Sequence, residues 1–144
     1  MITISVCMIV KDEEMVLERA LKSVERIADE IIIVDTGSTD RTKKIALKYT
    51  DKVYDFVWCD DFAKARNYSF SKATMDYCMW LDADDIISDS DQEGLINLKK
   101  TLSKDTSVAV SYTHLSKNTI IYLQLEITYF ICSSRALDTC TINC

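Results

Sequence analysis

The sequence predicts an α/β protein with a mostly parallel sheet and flanking helices. Four runs of strand character alternate with segments of helical character, which is the pattern of parallel strands joined by crossover helices. Two of these runs, residues 3–10 and 30–35, are almost wholly apolar, as strands buried on both faces are. No proline and no internal repeat interrupts the alternation.

The composition agrees with a single globular domain. The chain has 144 residues, of which 48% are hydrophobic, and a net charge of −6. Such a length and hydrophobic content are ordinary for one domain. An acidic chain is poorly suited to general nucleic-acid binding, although helix N-termini or a metal ion can still hold the phosphates of a nucleotide. We therefore expect no nucleic-acid partner.

The first part of the chain predicts two strand–helix units. Residues 3–10 form the first strand, and Asp12 is the expected N-cap of the helix that follows. Glu13 and Glu14 suit the first turn of that helix. Residues 30–35 form the second strand, which precedes a helix at about residues 41–49. The candidates for the cap of this second helix are Ser38, Thr39 and Asp40.

Two further units follow. A third strand is predicted at residues 52–58, and a helix at about residues 62–73. A fourth strand, residues 77–81, precedes the last predicted helix. Ser90 and Glu93 have the spacing of a capping box, so Ser90 is the expected N-cap of that helix.

Carboxylates follow the fourth strand directly. Asp82 and Asp84 are two residues apart, so on an extended chain their side chains point the same way. Open α/β sheets bind ligands at the carboxyl ends of their strands. Two carboxylates there can share a hard divalent cation and leave positions for phosphate oxygens. Asp is also common in turns and caps, so an acidic strand-to-helix turn is the alternative.

The cysteines and the two ends of the chain give further expectations. Cys7 and Cys78 lie within predicted strands and are expected to be reduced core residues, and no C-x-x-C pair indicates zinc. The N-terminus lacks signal-peptide features, which favours the cytoplasm and leaves peripheral membrane contact open. The tail, residues 108–144, is atypical. Residues 123–129 alternate like a strand, and one or two added strands or non-native sequence are the alternatives for the tail.

Four segments, each at the end of a predicted strand, carry a resemblance to a known family. In chain order they are SVCMIVKDEE, DEIIIVDTGSTDRT, WCDDFAKARNYSFSKA and DYCMWLDADD. Together they resemble family 2 glycosyltransferases of the nucleotide-diphospho-sugar transferase (Rossmann-like) type, in particular bacterial members often fused to tetratricopeptide repeats. The resemblance identifies residues 1–107 as the nucleotide-sugar-binding half of such a domain, incomplete at the C-terminus.

The resemblance implies metal-assisted transfer of a sugar, with inversion, from a nucleoside diphosphate sugar to an acceptor. A UDP-sugar is the favoured donor, and the divalent cation is Mn²⁺ or Mg²⁺. Asp84 is the expected metal ligand. Asp82 is expected to help hold the metal or to accept hydrogen bonds from the ribose, while Asp85 supports them or caps a helix.

The resemblance also assigns nucleotide-binding residues. Val10 and Lys11 end the first strand and are expected to contact the base, with Asp35 beside it. Arg66, in the A-R-N segment, is expected to reach the base or the diphosphate. Thr36 is also expected to bind the nucleotide, because it can donate and accept a hydrogen bond. Many relatives have a second acid where Thr36 stands and an aromatic residue where Lys11 stands, so the identity of the base is open.

No catalytic base is assigned. Family members usually continue into a region that supplies the acceptor site and a general base, and neither Glu126 nor Asp138 has a matching context. We therefore expect the chain to bind the donor and to be weak or inactive as a transferase. A non-catalytic nucleotide-binding or interaction domain is one alternative. A phosphotransferase with Asp82 as nucleophile is a second. The sugar, the acceptor and the oligomeric state are open.

Overall fold

The computed structural model describes residues 1–102 and 130–133, which form a five-stranded sheet and four helices. The strand order is β3-β2-β1-β4-β5. Strands β1 to β4 are parallel, and β5 is antiparallel to β4. The predicted α/β class is confirmed. The elements are β1 (Ile4–Val10), α1 (Leu17–Val24), β2 (Glu30–Asp35), α2 (Thr42–Ala46), β3 (Val53–Asp55), α3 (Phe62–Ser71), β4 (Tyr77–Trp80), α4 (Asp89–Thr101) and β5 (Phe130–Ser133).

Strand β1 lies at the centre of the sheet, and its two faces contact different helices. Val6 and Met8 belong to a core cluster that includes Leu21 of α1. Cys7, between them, belongs to a second cluster with Phe70 of α3. Successive side chains of a strand point to opposite faces. The near-continuous apolar run of β1 is therefore explained by burial on both faces.

The register of the strands brings their carboxyl ends to one edge of the sheet. Val10 is paired with Asp35, and Asp35 is paired with Asp55. On the other side of β1, the last pair joins Cys7 to Trp80. Strand β4 therefore ends opposite the middle of β1. Within the described residues, the last residues of β1 have no strand partner on the side of β4.

The predicted helix cap at Asp12 is wrong. The helix begins at Leu17, and Val16 occupies the N-cap position without a side-chain cap bond. Asp12 has a φ of 54°, in the left-handed region. Its Oδ1 accepts hydrogen bonds from the backbone N–H of Thr39 at 2.7 Å and from the Thr39 hydroxyl at 3.2 Å. A contact between two loops replaces the local cap that the sequence pattern predicted.

The cap of α4 is also displaced from its prediction. Ser88, not Ser90, is the N-cap, and its Oγ accepts a hydrogen bond from the backbone N–H of Asp91 at 3.2 Å. Ser90 lies inside the first turn. Ser88 and Asp91 have the same three-residue spacing as the predicted pair, and the Ser88 hydroxyl donates to Asp91 Oδ2 at 2.7 Å. The cap therefore lies two residues earlier than predicted.

The middle elements are shorter than predicted. Helix α2 is confined to five residues, and the Asp40 carboxylate accepts a hydrogen bond from the backbone N–H of Thr42 at 2.8 Å. Strand β3 has three residues rather than the seven of the predicted run, and within the described residues it is an edge strand paired with β2. Beyond it, Val57 is 90% exposed and Asp60 turns the chain with a φ of 57°.

The tail is described only at β5. The strand predicted at residues 123–129 lies outside the described residues. Residues 130–133 pair with β4, although the sequence there shows no clear period. Cys7 and Cys78 are free and buried, as predicted. None of the helices in the described part of the chain combines the length and apolarity that crossing a bilayer needs.

A buried carboxylate ties the amino ends of the strands together. Glu30, 6% exposed, accepts hydrogen bonds from the Ser5 hydroxyl, from Lys52 Nζ and from the N–H and hydroxyl of Thr74. Burial acts to raise the pKa of Glu30, but the bonds from Lys52, Ser5 and Thr74 outweigh it. They lower that pKa from 4.5 to about 2.

Candidate functional site

A cavity of about 460 Å³ opens at the carboxyl edge of the sheet, beside the carboxyl end of β4. Its lining includes six of the seven residues predicted to bind nucleotide or metal: Val10, Lys11, Thr36, Arg66, Asp82 and Asp84. These residues follow three different strands or lie on α3. A second cavity, of about 490 Å³, lies around Glu30 at the opposite edge and contains none of them.

The two carboxylates predicted to hold metal lie on one side of the segment after β4. Asp82 and Asp84 are exposed and line the cavity, whereas Leu81 and Ala83 are buried. The backbone N–H of Asp85 donates to the backbone oxygen of Asp82 at 3.2 Å, so this segment is a turn rather than the extended chain that the prediction assumed. Asp82 Oδ1 accepts a hydrogen bond from Trp80 Nε1 at 3.0 Å. One oxygen of this carboxylate therefore has a protein partner.

The donor set fits a divalent cation only in part. Within residues 1–102 and 130–133, no group of three or more His, Cys, Asp or Glu side chains is arranged to hold a metal ion. Mg²⁺ characteristically takes one or two protein carboxylates and completes its shell with water and substrate phosphates. Asp82 and Asp84 match such a partial set.

Further carboxylates make the region strongly negative. Burial, and then the charges of Asp82 and Asp84, raise the pKa of Asp85. Glu13, half-buried in the cavity wall, has its pKa raised by burial and then by Asp84, Asp40 and Asp12. This crowding of like charges favours a bound cation. Glu13 was missed by the sequence analysis, which assigned it only to a helical turn.

Arg66 provides positive charge in the lining of the same cavity. It lies on α3, which begins after Asp61, whose carboxylate accepts a hydrogen bond from the N–H of Lys64 at 3.1 Å. The Arg66 guanidinium carbon lies 4.8 Å from the centre of the Trp80 ring. Arg66 Nε is buried and has no hydrogen-bond partner among the residues that the structure describes. Since buried donors are normally satisfied, this atom indicates a place for an anionic or carbonyl oxygen.

Three aromatic side chains that the sequence analysis did not predict as site residues line the cavity: Trp58, Phe62 and Trp80. Trp58 and Phe62 have ring centres 4.6 Å apart, and Phe62 is 63% exposed. Trp58 Nε1 donates a hydrogen bond to Asp60 Oδ1 at 2.8 Å. Exposed large aromatic residues next to a cavity are suited to stacking on a flat ligand. The available sequence signal was the aromatic pair on either side of the turn after β3.

Asp35 is the one predicted site residue that does not line the cavity. It is 2% exposed, and its Oδ1 accepts hydrogen bonds from the backbone N–H groups of Gly37 at 2.8 Å and Ser38 at 2.7 Å. Gly37 has a φ of 107°, which a residue with a Cβ adopts only with strain. Asp35 thus shapes the turn after β2, and its contact with a base stays a prediction.

The loops after β1 and β2 are fixed to each other. The backbone N–H of Glu13 donates to the Thr42 hydroxyl at 2.6 Å, and that of Glu14 donates to the Asp40 carboxylate at 3.1 Å. Glu14 in turn accepts from the Arg41 side chain at 3.1 Å. Lys11 and Glu13 therefore line the cavity from a cross-linked loop rather than a free one.

The sequence as a whole matches one family. A family model described as glycosyl transferase family 2 matches residues 5–142. The chain belongs to glycosyl transferase family 2. The match includes the tail, and so extends beyond the segments that carried the resemblance. The predicted glycosyltransferase family is confirmed.

Curated relatives are longer than this chain. A TPR repeat-containing protein of Synechococcus elongatus is 47% identical over 85 residues, which is 59% of this chain and 21% of the relative. An uncharacterized glycosyltransferase of Rickettsia bellii is 31% identical over 128 residues, 89% of this chain and 38% of the relative. The chain thus spans well under half the length of these relatives.

Solved structures agree on the fold. The structure of S. aureus TarS 1–349 superposes with a TM-score of 0.70 at 19% identity, covering 94% of this chain and 48% of that solved chain, which supports the fold alone. M. tuberculosis glucosyl-3-phosphoglycerate synthase, in complex with Mn²⁺ and UDP-glucose, gives a TM-score of 0.52 at 26% identity. That alignment covers 59% of this chain and 34% of the synthase. The chain therefore carries the sheet and helices of a glycosyltransferase domain.

Proposed function

We propose that this domain binds a nucleoside diphosphate sugar in the cavity at the carboxyl edge, and that the protein transfers the sugar to an acceptor with inversion. The observation that carries the proposal is the convergence of Asp82, Asp84 and Arg66 on one cavity. A diphosphate needs both a cation and hydrogen-bond donors, because its charge must be matched when it enters a partly dry site.

Arg66 is the proposed contact for the diphosphate. Its Nε lacks a partner, and a guanidinium can donate two parallel hydrogen bonds to phosphate oxygens. Arg66 lines the same cavity as Asp82 and Asp84, so a diphosphate bound there would contact both the guanidinium and the metal ion that the carboxylates hold.

Asp84 is the proposed metal ligand, and Asp82 either shares the metal or accepts hydrogen bonds from the ribose. A bound Mn²⁺ or Mg²⁺ supplies Lewis-acid stabilisation of the charge that develops on the departing diphosphate. The structures of the M. tuberculosis synthase with Mn²⁺ and UDP-glucose support this assignment by similarity. For the same reason a UDP-sugar is the proposed donor.

The remaining walls suit the nucleoside. Val10, Lys11 and Thr36 line the end of the cavity nearest β1 and β2, where we place the base. Glu13 provides a further carboxylate that can accept hydrogen bonds from ribose hydroxyls. Phe62 offers a flat, exposed ring at the rim.

Transfer itself is proposed for the longer proteins that this domain resembles. None of the described residues is assigned as the general base, and the chain spans 38% of its R. bellii relative. Direct attack by an acceptor hydroxyl on the anomeric carbon, with loss of the nucleoside diphosphate, inverts that carbon. The cytoplasmic location, membrane contact and acceptor stay predictions.

Calorimetric titration with UDP, in Mn²⁺ and in EDTA, tests donor binding. We expect Mn²⁺ to tighten UDP binding to the wild-type chain and to the control variant Asp51→Asn, whose exposed carboxylate lies at the opposite edge. Asp84→Asn is expected to lose this gain and keep its fold. Equal UDP affinity in Mn²⁺ and in EDTA for the wild-type chain would contradict the proposal.

Release of UDP from UDP-glucose separates the function classes. UDP release above the buffer rate supports a transferase, whereas binding without release agrees both with the weak activity that we expect of this chain and with a non-catalytic nucleotide-binding domain. Release of inorganic phosphate from a phosphoryl substrate, with no binding of UDP, would instead support the phosphotransferase alternative. The family match argues against that alternative.

A further inference from the structure

Trp80 contacts both charged walls of the cavity. Its indole Nε1 donates to Asp82 Oδ1 at 3.0 Å, and the face of its ring lies 4.8 Å from the Arg66 guanidinium carbon. The ring of Phe70 lies 6.1 Å away at an interplanar angle of 87°, in an edge-to-face contact. Trp80 is also the last residue of β4, so its backbone is held by the sheet.

The two charges do not neutralise each other. Arg66 and Asp82 line the same cavity, yet no ion pair joins them in the described part of the chain. The indole uses its face for the cation and its N–H edge for the carboxylate. Among the described residues, hydrogen-bonding protein groups occupy only one oxygen of Asp82, and the buried Nε of Arg66 has no partner, so both side chains keep hydrogen-bonding capacity for a ligand.

We propose that Trp80 is a positioning residue for donor binding, which orients the Asp82 carboxylate through its indole N–H and keeps Arg66 apart from it. The inference rests on the proposed function, because it concerns the same cavity. A carboxylate on an exposed turn rotates freely unless a donor fixes one oxygen. Hydrogen bonds from such outer partners commonly change metal affinity by about 10- to 100-fold.

The variant Trp80→Phe separates the two contacts. It keeps an aromatic face for Arg66 and the contact with Phe70, but it removes the N–H that holds Asp82. We expect UDP affinity in EDTA to stay within about twofold of wild type, and the gain in affinity on adding Mn²⁺ to fall about tenfold. Trp80→Leu removes both contacts, so its UDP affinity in EDTA should fall as well.

A double-mutant cycle shows whether Trp80 acts through Asp82. The increase in UDP affinity on adding Mn²⁺ is measured for the wild-type chain, for Asp82→Asn, for Trp80→Phe and for the double variant. We expect the double variant to match Asp82→Asn alone, because the N–H has no charged carboxylate left to orient. Asp60→Asn is the matched control, since Asp60 accepts the same bond from Trp58 but does not line the cavity.

The hydrogen bond can also be observed in the wild-type chain. The chain has two tryptophans, so the indole ¹H–¹⁵N resonance of Trp80 can be assigned from Trp58→Phe even if Trp80→Phe fails to fold. We expect this resonance to shift in Asp82→Asn and to stay in place in Asp60→Asn.

Any one of three results would overturn the positioning role. The first is a folded Trp80→Phe variant in which Mn²⁺ raises UDP affinity as much as it does in the wild-type chain. The second is a double variant whose loss of this gain equals the sum of the two single losses, and the third is a Trp80 indole resonance that does not shift in Asp82→Asn. Failure of the wild-type chain to bind UDP with Mn²⁺ would overturn the proposed function instead. The resonance shift would still report on the bond between Trp80 and Asp82 in that case.

Discussion

Thr36 donates both its amide and its hydroxyl hydrogen to the backbone oxygen of Val10, at 3.0 and 3.2 Å. Val10 is the last residue of β1, and Thr36 directly follows the last residue of β2. The two hydrogen bonds therefore join the carboxyl ends of β1 and β2 at the point where both residues line the cavity. Thr36 is 6% exposed, so its hydroxyl has little access to water.

The variant Thr36→Val keeps the amide bond and the side-chain shape but removes the hydroxyl. We expect a loss of about 1 kcal/mol in the free energy of unfolding, because the Val10 oxygen loses one of two donors in a buried setting. Urea unfolding followed by circular dichroism measures it. Thr101→Val, at an exposed position of α4, is the control and should change stability by less. Equal losses in both variants would argue against a special role for the contact.

Asp12 is expected to tolerate only certain substitutions. Its φ of 54° favours Asn and Gly over residues with other side chains, and its Oδ1 holds Thr39. Asp12→Asn keeps the conformation and an acceptor oxygen, so it should cost least in stability. Asp12→Ala loses the acceptor and retains the strain, at a cost of about 1–2 kcal/mol. Thermal unfolding gives the order, and an Ala variant as stable as the Asn variant would contradict it.

Glu30 should make the stability of the fold dependent on acid pH. Its pKa in the folded chain, about 2, lies below its ordinary value of 4.5. The stabilisation is therefore fully present above about pH 4.5 and is lost as the pH falls toward 2, a shift worth about 3 kcal/mol. The free energies of unfolding of wild type and Glu30→Gln, measured with urea, should differ most near pH 6, and the difference should shrink by pH 3.

The control for this measurement is Glu25→Gln, at an exposed carboxylate of the same edge. A difference that does not change between pH 6 and pH 3 would count against the buried network.

Arg66 should contribute to UDP binding without metal. Arg66→Gln removes the charge and the unpartnered donor, so UDP affinity in EDTA is expected to fall about tenfold. Lys64→Gln removes a positive charge from an exposed position of the same helix that does not line the cavity, and is the control. If both variants lose the same affinity in calorimetry, net charge rather than a contact explains the loss.

The fold was predictable because its signal is local. The apolar runs of β1 and β2 and the short run of β4 indicate buried parallel strands, and their order predicts the sheet. The position of Asp82 and Asp84 in the cavity at the carboxyl edge of the sheet was predictable because both residues directly follow a buried strand. Caps were less predictable, since Asp12 satisfies a distant loop and Ser88 competes with Ser90 for one helix start.

The site was predictable where it depends on strand ends, and less so where it depends on side chains meeting across the cavity. Trp80 was predicted only as part of the fourth strand. The structure shows that its indole N–H donates to Asp82 and that the Arg66 guanidinium lies over its ring. Glu13 read as a helical-turn acid, because nothing in a single sequence indicates that its loop faces Asp84.

The most direct test of the central claim is anomalous diffraction at the manganese edge from crystals grown with UDP and Mn²⁺. We predict a peak at coordination distance from the Asp84 carboxylate, with the diphosphate between it and Arg66. A manganese peak elsewhere, such as in the cavity beside Glu30, or UDP bound without manganese near Asp82 and Asp84, would contradict the account.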